Sequence, residues 1–512
     1  MNDWNDGYFT ESTYTYGYYR ELNPVFQSFC LLAKGYCPPK TDSGSVHCEL
    51  GFGQGVSAAI HAAASPGQYF GTDFNPAHAA HANTLREAAG INARFFDDSF
   101  AEMLERSDLP QFDTISLHGI WSWISRENQQ HITEFARRFL KPGGVFYNSY
   151  NCMPGWAAKA PLRELFVLHD KYGQPGATAQ KRVEEAMKFT EALLAAKPLY
   201  AQQNSVVTPA FEGIRKHDHH YLAHEYFNRD WHCMYFTEML EALSPAKLEF
   251  ACSAAPLNVV ENYCLPPAAL EYLATIENPV IREQARDYFI NQQFRKDIYV
   301  RGLRPLSVAE RVKRILDMRY VLSTTKEIPL TIPVPVGKIA VSEEVYGPLL
   351  AYLRENNGQA KSIAEFTRKH RNIPAAQFVQ ALIVLVENEW VTPCQSEENE
   401  KRVKKQCDAL NNYIINRSLL AGDVGILASP VTGGGVGLGR VDLMSLLFYR
   451  QGKKTAAAIA DALWAFLSSR GEKMIFEQKQ LETPEENIAM AKELSQDFMA
   501  KTLPLLRALQ VV

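Results

Sequence analysis

No stretch of this sequence approaches the length of apolar residues needed to cross a membrane, and no basic-then-apolar leader opens it, the first ten residues being MNDWNDGYFT. No Cys-x-x-Cys pair occurs among the nine scattered cysteines. That removes a disulfide framework and the usual zinc-ligand spacing, and leaves reduced thiols in a cytoplasmic protein as the expectation. Net charge is small too: −4 over 512 residues gives no global field to draw nucleic acid or anionic lipid. Internal repeats and low-complexity tracts are absent. What remains, 46% apolar and 21% charged, is the composition of a soluble globular chain, long enough for three or four domains.

From residue 45 short apolar runs alternate with helical patterns. SVHCELGFG reads as a strand entering a glycine loop, and VSAAIHAAASP as a short helix stopped by Pro66-Gly67. QYFGTDFNP is a second strand, followed by the helix AHAAHANTLREAAG; ARFFDDSF and FDTISLHGIWSWI are the third and fourth strands. ENQQHITEFARRFLKPGG is a helix ending in a Pro-Gly-Gly turn, and VFYNSYN a fifth strand. Such alternation predicts a parallel α/β sheet with both faces covered, whose ligands sit outside the carboxyl ends of the strands.

The glycine loop discriminates between cofactors. A dinucleotide fingerprint is G-x-G-x-x-G, but here the order is Gly51-x-Gly53-x-Gly55-Val56, so the third glycine would have to be Val56. Glu49 has no role in holding a pyrophosphate and suits a cationic ammonium group. Asp73 ends the second strand, 18 residues beyond Gly55, where a carboxylate accepts both ribose hydroxyls. Asp97-Asp98-Ser99 ends the third, where an acid and a hydroxyl can read an adenine amino edge.

Together, YTYGYYRELNP (14–24), CELGFGQG (48–55), GTDFNP (71–76), FDDSF (96–100), LHGIWSWIS (117–125) and SYNCMPGW (149–156) resemble the class I S-adenosylmethionine-dependent methyltransferases. The likeness extends to one bacterial subfamily that carries a methyltransferase regulatory domain and includes lysine methyltransferases of outer-membrane proteins. It covers roughly the first 300 residues well and continues more loosely beyond. The resemblance implies S-adenosyl-L-methionine as cofactor, a Rossmann-like sheet, and contacts from Tyr16, Glu49, Gly51, Phe52, Gly53, Gly55, Asp73, Phe74, Asp98 and Ser99. His118 and Gly119 would face the sulfonium centre.

Methyl transfer is an in-line displacement in which a cationic sulfonium loses its charge, so alignment and exclusion of water are most of what a protein supplies. A lysine nucleophile has a reference pKa of about 10.4 and must first lose a proton, which desolvation among aromatic rings promotes. Aromatic faces also stabilise methylammonium or sulfonium. Trp121, Trp123, Tyr147, Tyr150, Asn151 and Trp156 lie where the sheet would present them, and Tyr14, Tyr16, Tyr18 and Tyr19 could close over the cofactor as a lid. His118, Trp121 and Tyr150 are the candidate catalytic residues; Tyr18, Tyr19, Trp121, Trp123, Asn151 and Trp156 are the candidate substrate contacts. The competing assignment for each aromatic is simple core packing. After strand four the chain reads His118-Gly119-Ile120-Trp121 instead of the Asn/Asp-Pro-Pro-aromatic motif of many enzymes that methylate planar nitrogens, which argues against adenine or glutamine as acceptor.

The expected organisation is a catalytic domain with an aromatic lid over 1–157, a helical insertion and regulatory domain over 158–330, a winged-helix-like unit over 331–395 and a helical domain over 396–512. His217, His219, His220 and His224 cluster without the H-E-x-x-H spacing, so no metal is expected. Residues 372–390, in the position of a recognition helix, contain no Lys or Arg, which argues against DNA. SPVTGGGVGLGR (429–440) lacks the Lys-Ser/Thr of a phosphate loop and reads as a mobile loop near the active site. The leading expectation is a protein lysine methyltransferase; a small-molecule methyltransferase and a non-catalytic S-adenosylmethionine-binding regulator are the rivals. Oligomeric state is not encoded in any motif.

Overall fold

Seven strands form one sheet: β1 Val46–Leu50, β2 Gln68–Thr72, β3 Ala93–Phe96, β4 Phe112–Leu117, β5 Leu140–Asn151, β6 Leu248–Ser253 and β7 Phe294–Arg301. The computed structural model describes residues 8, 15–173, 178–477 and 479–512, without the side chains of 179, 219 and 220. Tyr14 lies outside the described residues. Strand order is β3-β2-β1-β4-β5-β7-β6, with β7 antiparallel to both of its neighbours. β1 to β5 pair in parallel, Glu49 standing beside Gly71 on one side and Ser116 on the other. The order reverses at β1, and the loop after it opens at that switch point, where ligands of such sheets bind.

Local sequence explains the covering helices. In α3 (Pro76–Ala89) the Asn75 side chain caps the first turn, proline sits at the first helical position, and Gly90 closes the end at φ 61°. In α5 (Arg126–Phe139) Ile132, Phe135, Ala136 and Phe139 recur at helical spacing and are buried against the sheet. α4 (Phe100–Glu105) joins α5 on that face; α1 (Pro24–Lys34), α2 (Val56–Ala64) and α3 cover the other.

The sheet does not end at residue 157. β6 and β7 come from the segment assigned to the regulatory domain, so that segment completes the catalytic sheet. Among the described residues six α-helices intervene before β6, the last being Phe236–Leu243; the first five are α6 Ala160–Tyr172, α7 Ala179–Ala195, α8 Leu199–Gln203, α9 Val207–Ile214 and α10 His219–Tyr226. These five pack around Leu162, Phe166, Val183, Phe211 and Leu222. A buried ion cluster then locks β7 in place: Arg295 binds Asp297 at 2.7 Å, Asp287 at 2.6 Å and Glu283 at 2.7 Å, the last two from the helix Pro279–Ile290.

Residues 331–340 form a hairpin, and 343–394 three helices against a small sheet centred on Arg319–Leu322. The helix Ala375–Glu387 buries nearly its whole apolar run, Phe378 to Val386, so it offers no free face to a nucleic acid. The glycine-rich segment is not a mobile loop. Ile426–Ser429 and Gly434–Gly437 pair as a hairpin lying on α2, and the helix Glu397–Arg417 packs on α2 and α3. Gln395 Nε2 donates to the Ala64 carbonyl at 2.9 Å, tying the C-terminal module to the end of α2. Among the described residues no helix is long and apolar enough to cross a membrane.

Candidate functional site

The loop after β1 needs its glycines. Gly51, Gly53 and Gly55 have φ of 73°, 56° and 71°, in the left-handed region that side chains disfavour. A Cβ on Gly55 would also stand 2.4 Å from Ala82 Cβ of α3. The Asp73 carboxylate fastens this loop to β2: it accepts from Gly53 N–H at 2.8 Å and Asn75 N–H at 3.1 Å, with His78 Nδ1 at 3.0 Å. Asp73 therefore shapes the loop.

Glu49 is buried at the end of β1, and no hydrogen bond reaches its carboxylate among the described residues. Burial first, then the Asp73 charge, pushes its pKa up to about 8. Two facing carboxylates of this kind fit a cationic ligand, which relieves both effects at once. Phe52 packs edge-on against Phe95 and Phe74 edge-on against Tyr8, giving the loop an aromatic wall. At β3 the Asp98 carboxylate is held by Arg106 at 2.7 Å. Ser99 caps α4 in a capping box with Glu102, so its hydroxyl is engaged there.

At the end of β4, His118 Nδ1 lies 2.8 Å from the Tyr147 hydroxyl, and its ring stacks on Tyr19 at 3.9 Å. Burial lowers its pKa to about 4, so the ring is neutral at physiological pH. Gly119 donates to Ser149 Oγ at 2.8 Å, and a Cβ built on it would meet nothing within 4 Å. The strand end is thus open beside the neutral imidazole.

The structure separates the remaining sequence candidates. Tyr19 faces His118, while Tyr16 and Tyr18 contact α3 and α2 instead. Tyr16 meets the His81 ring edge-on. Tyr18 packs on His61 of α2, its hydroxyl accepting from Gly435 N–H at 2.7 Å. Trp121 and Tyr150 are fully buried. The Trp121 indole N–H rests on Met234 Sδ at 3.0 Å, and Tyr150 donates to Asp297 at 2.8 Å within the ion cluster. Both are packed within the core. Trp123 N–H donates to the Glu225 carbonyl at 3.1 Å, joining α10 to the end of β4. Asn151 is buried with its Nδ2 unpartnered, and Trp156 meets Trp231 edge-on at 5.1 Å.

Sequence reasoning missed Tyr8 and Glu225. Tyr8 spans from Phe74 to His224 of α10, and its hydroxyl pKa is raised by burial and then by Asp73 and Glu225. Only the tyrosine-rich character of the first 20 residues hinted at it. Among the described residues no group of His, Cys, Asp and Glu could hold a metal, and the side chains of His219 and His220 are outside that description.

The methyltransferase-domain model matches residues 48–144, and the predicted methyltransferase regulatory domain model matches 218–301. An uncharacterized Synechocystis protein, sll1526, is 38% identical over 99% of both chains. The chain belongs to the class I S-adenosylmethionine-dependent methyltransferases with a regulatory domain. S-adenosyl-L-methionine is its cofactor, and the glycine loop with Glu49 and Asp73 fits it. This methyltransferase is also similar to an uncharacterized protein of Rickettsia prowazekii, RP028, 30% identical over 27% of this chain and 54% of that one. Among solved structures, PKMT2 from Rickettsia typhi in complex with AdoHcy shares the fold over 97% of this chain and 99% of that one, with a TM-score of 0.69 and 18% identity.

Proposed function

We propose that this methyltransferase acts on lysine side chains of a protein substrate. The observation that carries the reading is the fold shared with PKMT2 along nearly the whole chain, through the regulatory and C-terminal modules as well as the catalytic sheet. His118-Gly119-Ile120-Trp121 at the end of β4 supports it by excluding the planar-nitrogen motif.

When bound, the cofactor supplies a methyl group activated by a positive sulfonium. The protein's own residues bind and orient. Glu49 holds the ammonium end, Asp73 the ribose hydroxyls, and Asp98 with the Ser99 region the adenine edge. Neutral His118 adds no competing positive charge beside the sulfonium. Tyr19 and Tyr8 exclude water from the strand ends, where alignment of the reactants saves several kcal/mol of barrier, roughly 7 or more in well-oriented systems.

The test is incubation of the full chain with methyl-labelled S-adenosylmethionine and an unfolded lysine-rich polypeptide, followed by hydrolysis. Label recovered as Nε-methyllysine is the expected result. Label only in small, acid-soluble molecules of an added metabolite extract would replace this reading with a small-molecule enzyme.

A further inference from the structure

Beyond the ends of β4 and β5 lies a second group of polar side chains that the cofactor does not use. The segment 228–234 runs alongside both strand ends: His232 N–H donates to the Ser122 carbonyl at 2.7 Å, and Met234 N–H to the Asn151 carbonyl at 3.0 Å. Above it sits α10, anchored by the Trp123–Glu225 hydrogen bond. The Glu225 carboxylate has no hydrogen bond or ion pair among the described residues. Its charge reaches Tyr8, Tyr221 and Tyr226, and Tyr8 also feels Asp73 and Tyr19, so Glu225 borders the cofactor site.

A second observation points to a ligand. Asn151 Nδ2, Arg163 Nε, Trp156 Nε1 and Trp231 Nε1 are buried donors without acceptors. Asn151 and Arg163 are 3% and 7% exposed. Three of these are contiguous: Arg163 lies 5.2 Å from the Trp231 ring, which meets Trp156 at 5.1 Å. Buried donors in native proteins are rarely left unpaired, and what satisfies such N–H groups is oxygen.

We propose that Glu225 receives the ε-ammonium of the incoming lysine and that the Asn151, Arg163, Trp156 and Trp231 donors receive carbonyl oxygens of the same polypeptide. This rests on the lysine reading above and names the groups that would recognise it. The proton step is balanced within the pair: one N–H bond of the ammonium breaks, one O–H bond forms on Glu225, and the nitrogen lone pair is freed toward the cofactor. Tyr8, Tyr221 and Tyr226 face the carboxylate as neutral hydroxyls, Cys233 as a neutral thiol, and Arg163 as the nearby cation. Burial holds Glu225 at about 7, partly offset by Arg163, so the carboxylate becomes available as pH rises through neutrality.

The test uses the full chain and two cofactor adducts in which the methyl is replaced by a 2-aminoethyl arm or by a propyl arm. At pH 8, the wild type should bind the aminoethyl adduct at least tenfold more tightly than the propyl one. Glu225→Gln should abolish that preference, the two adducts then binding equally. Trp231→Phe should keep the preference but raise KM for a lysine-bearing polypeptide. A wild type without preference, or a Glu225→Gln protein that retains it, overturns the inference. Failure of the lysine reading is seen separately, as absence of Nε-methyllysine from wild-type reactions.

Discussion

Cofactor binding should expel a proton from Glu49. In the free protein this carboxyl sits at about 8, so at pH 6.5 it carries a proton in about 97% of molecules. An arriving ammonium requires the carboxylate. The cofactor's own amine, with an ordinary pKa of about 7.7–8.0, is already protonated at pH 6.5 and contributes almost no uptake. Calorimetric titration of S-adenosylmethionine in buffers of different ionisation enthalpy should therefore report release of about 0.9 proton per site. Deprotonation costs 1.36 kcal/mol per pH unit below 8, about 2 kcal/mol at pH 6.5. A charged hydrogen bond contributes about 1.5–3 kcal/mol, so Glu49→Gln should cost roughly 10–100-fold in affinity at pH 8.5 and only a few-fold at pH 6.5. Because the folded pKa is raised above the ordinary carboxylate value, Glu49 lowers the stability of the free protein as pH rises from about 4.5 toward 8, and the cofactor should relieve that loss. Proton release that persists in Glu49→Gln, or none in the wild type, would refute the assignment.

If Asp73 receives the ribose hydroxyls as proposed, Asp73→Asn should weaken S-adenosylmethionine about 100-fold, and it should lower Tm by a few degrees because the carboxylate holds the Gly53 and Asn75 N–H groups. Full wild-type affinity would count against the ribose role. Gly55→Ala should destabilise by about 1–3 kcal/mol in denaturant unfolding, because its φ is 71° and the new methyl meets Ala82. Arg295→Ala leaves Asp287, Asp297 and Glu283 buried without their cation and should cost about 3–5 kcal/mol, read as a fall in Tm with no change in which cofactor binds.

The Rossmann-like sheet and its glycine loop were legible because strand and helix alternate in chain order. Glycine loop, Glu49, Asp73 and Asp98 each end a strand, and strand–helix alternation places strand ends side by side. The acceptor half was not, because it assembles from distant segments. Glu225 and Trp231 reach the ends of β4 and β5 only through the path of α6 to α10, and no local spacing announces that path. β6 and β7 were hidden for the same reason: about 95 residues, mostly helical, separate β5 from β6. At the expected lid, Tyr18 and Tyr19 are neighbours in sequence but contact different segments, His61 of α2 and His118 after β4. Trp121 and Tyr150 fill the core, as large rings on sheets usually do. The glycine run at 433–435 looked like mobility, but close approach explains it: a Cβ on Gly434 would stand 2.6 Å from the Tyr18 hydroxyl.

The central claim is methyl transfer to lysine, and one comparison tests it directly. A lysine-bearing polypeptide and the same polypeptide with every lysine acetylated are offered to the full chain with methyl-labelled S-adenosylmethionine. Acetylation removes the nucleophile and its charge but leaves the backbone and all other side chains. Label entering the free-lysine polypeptide alone is the predicted result; equal label in both would contradict it.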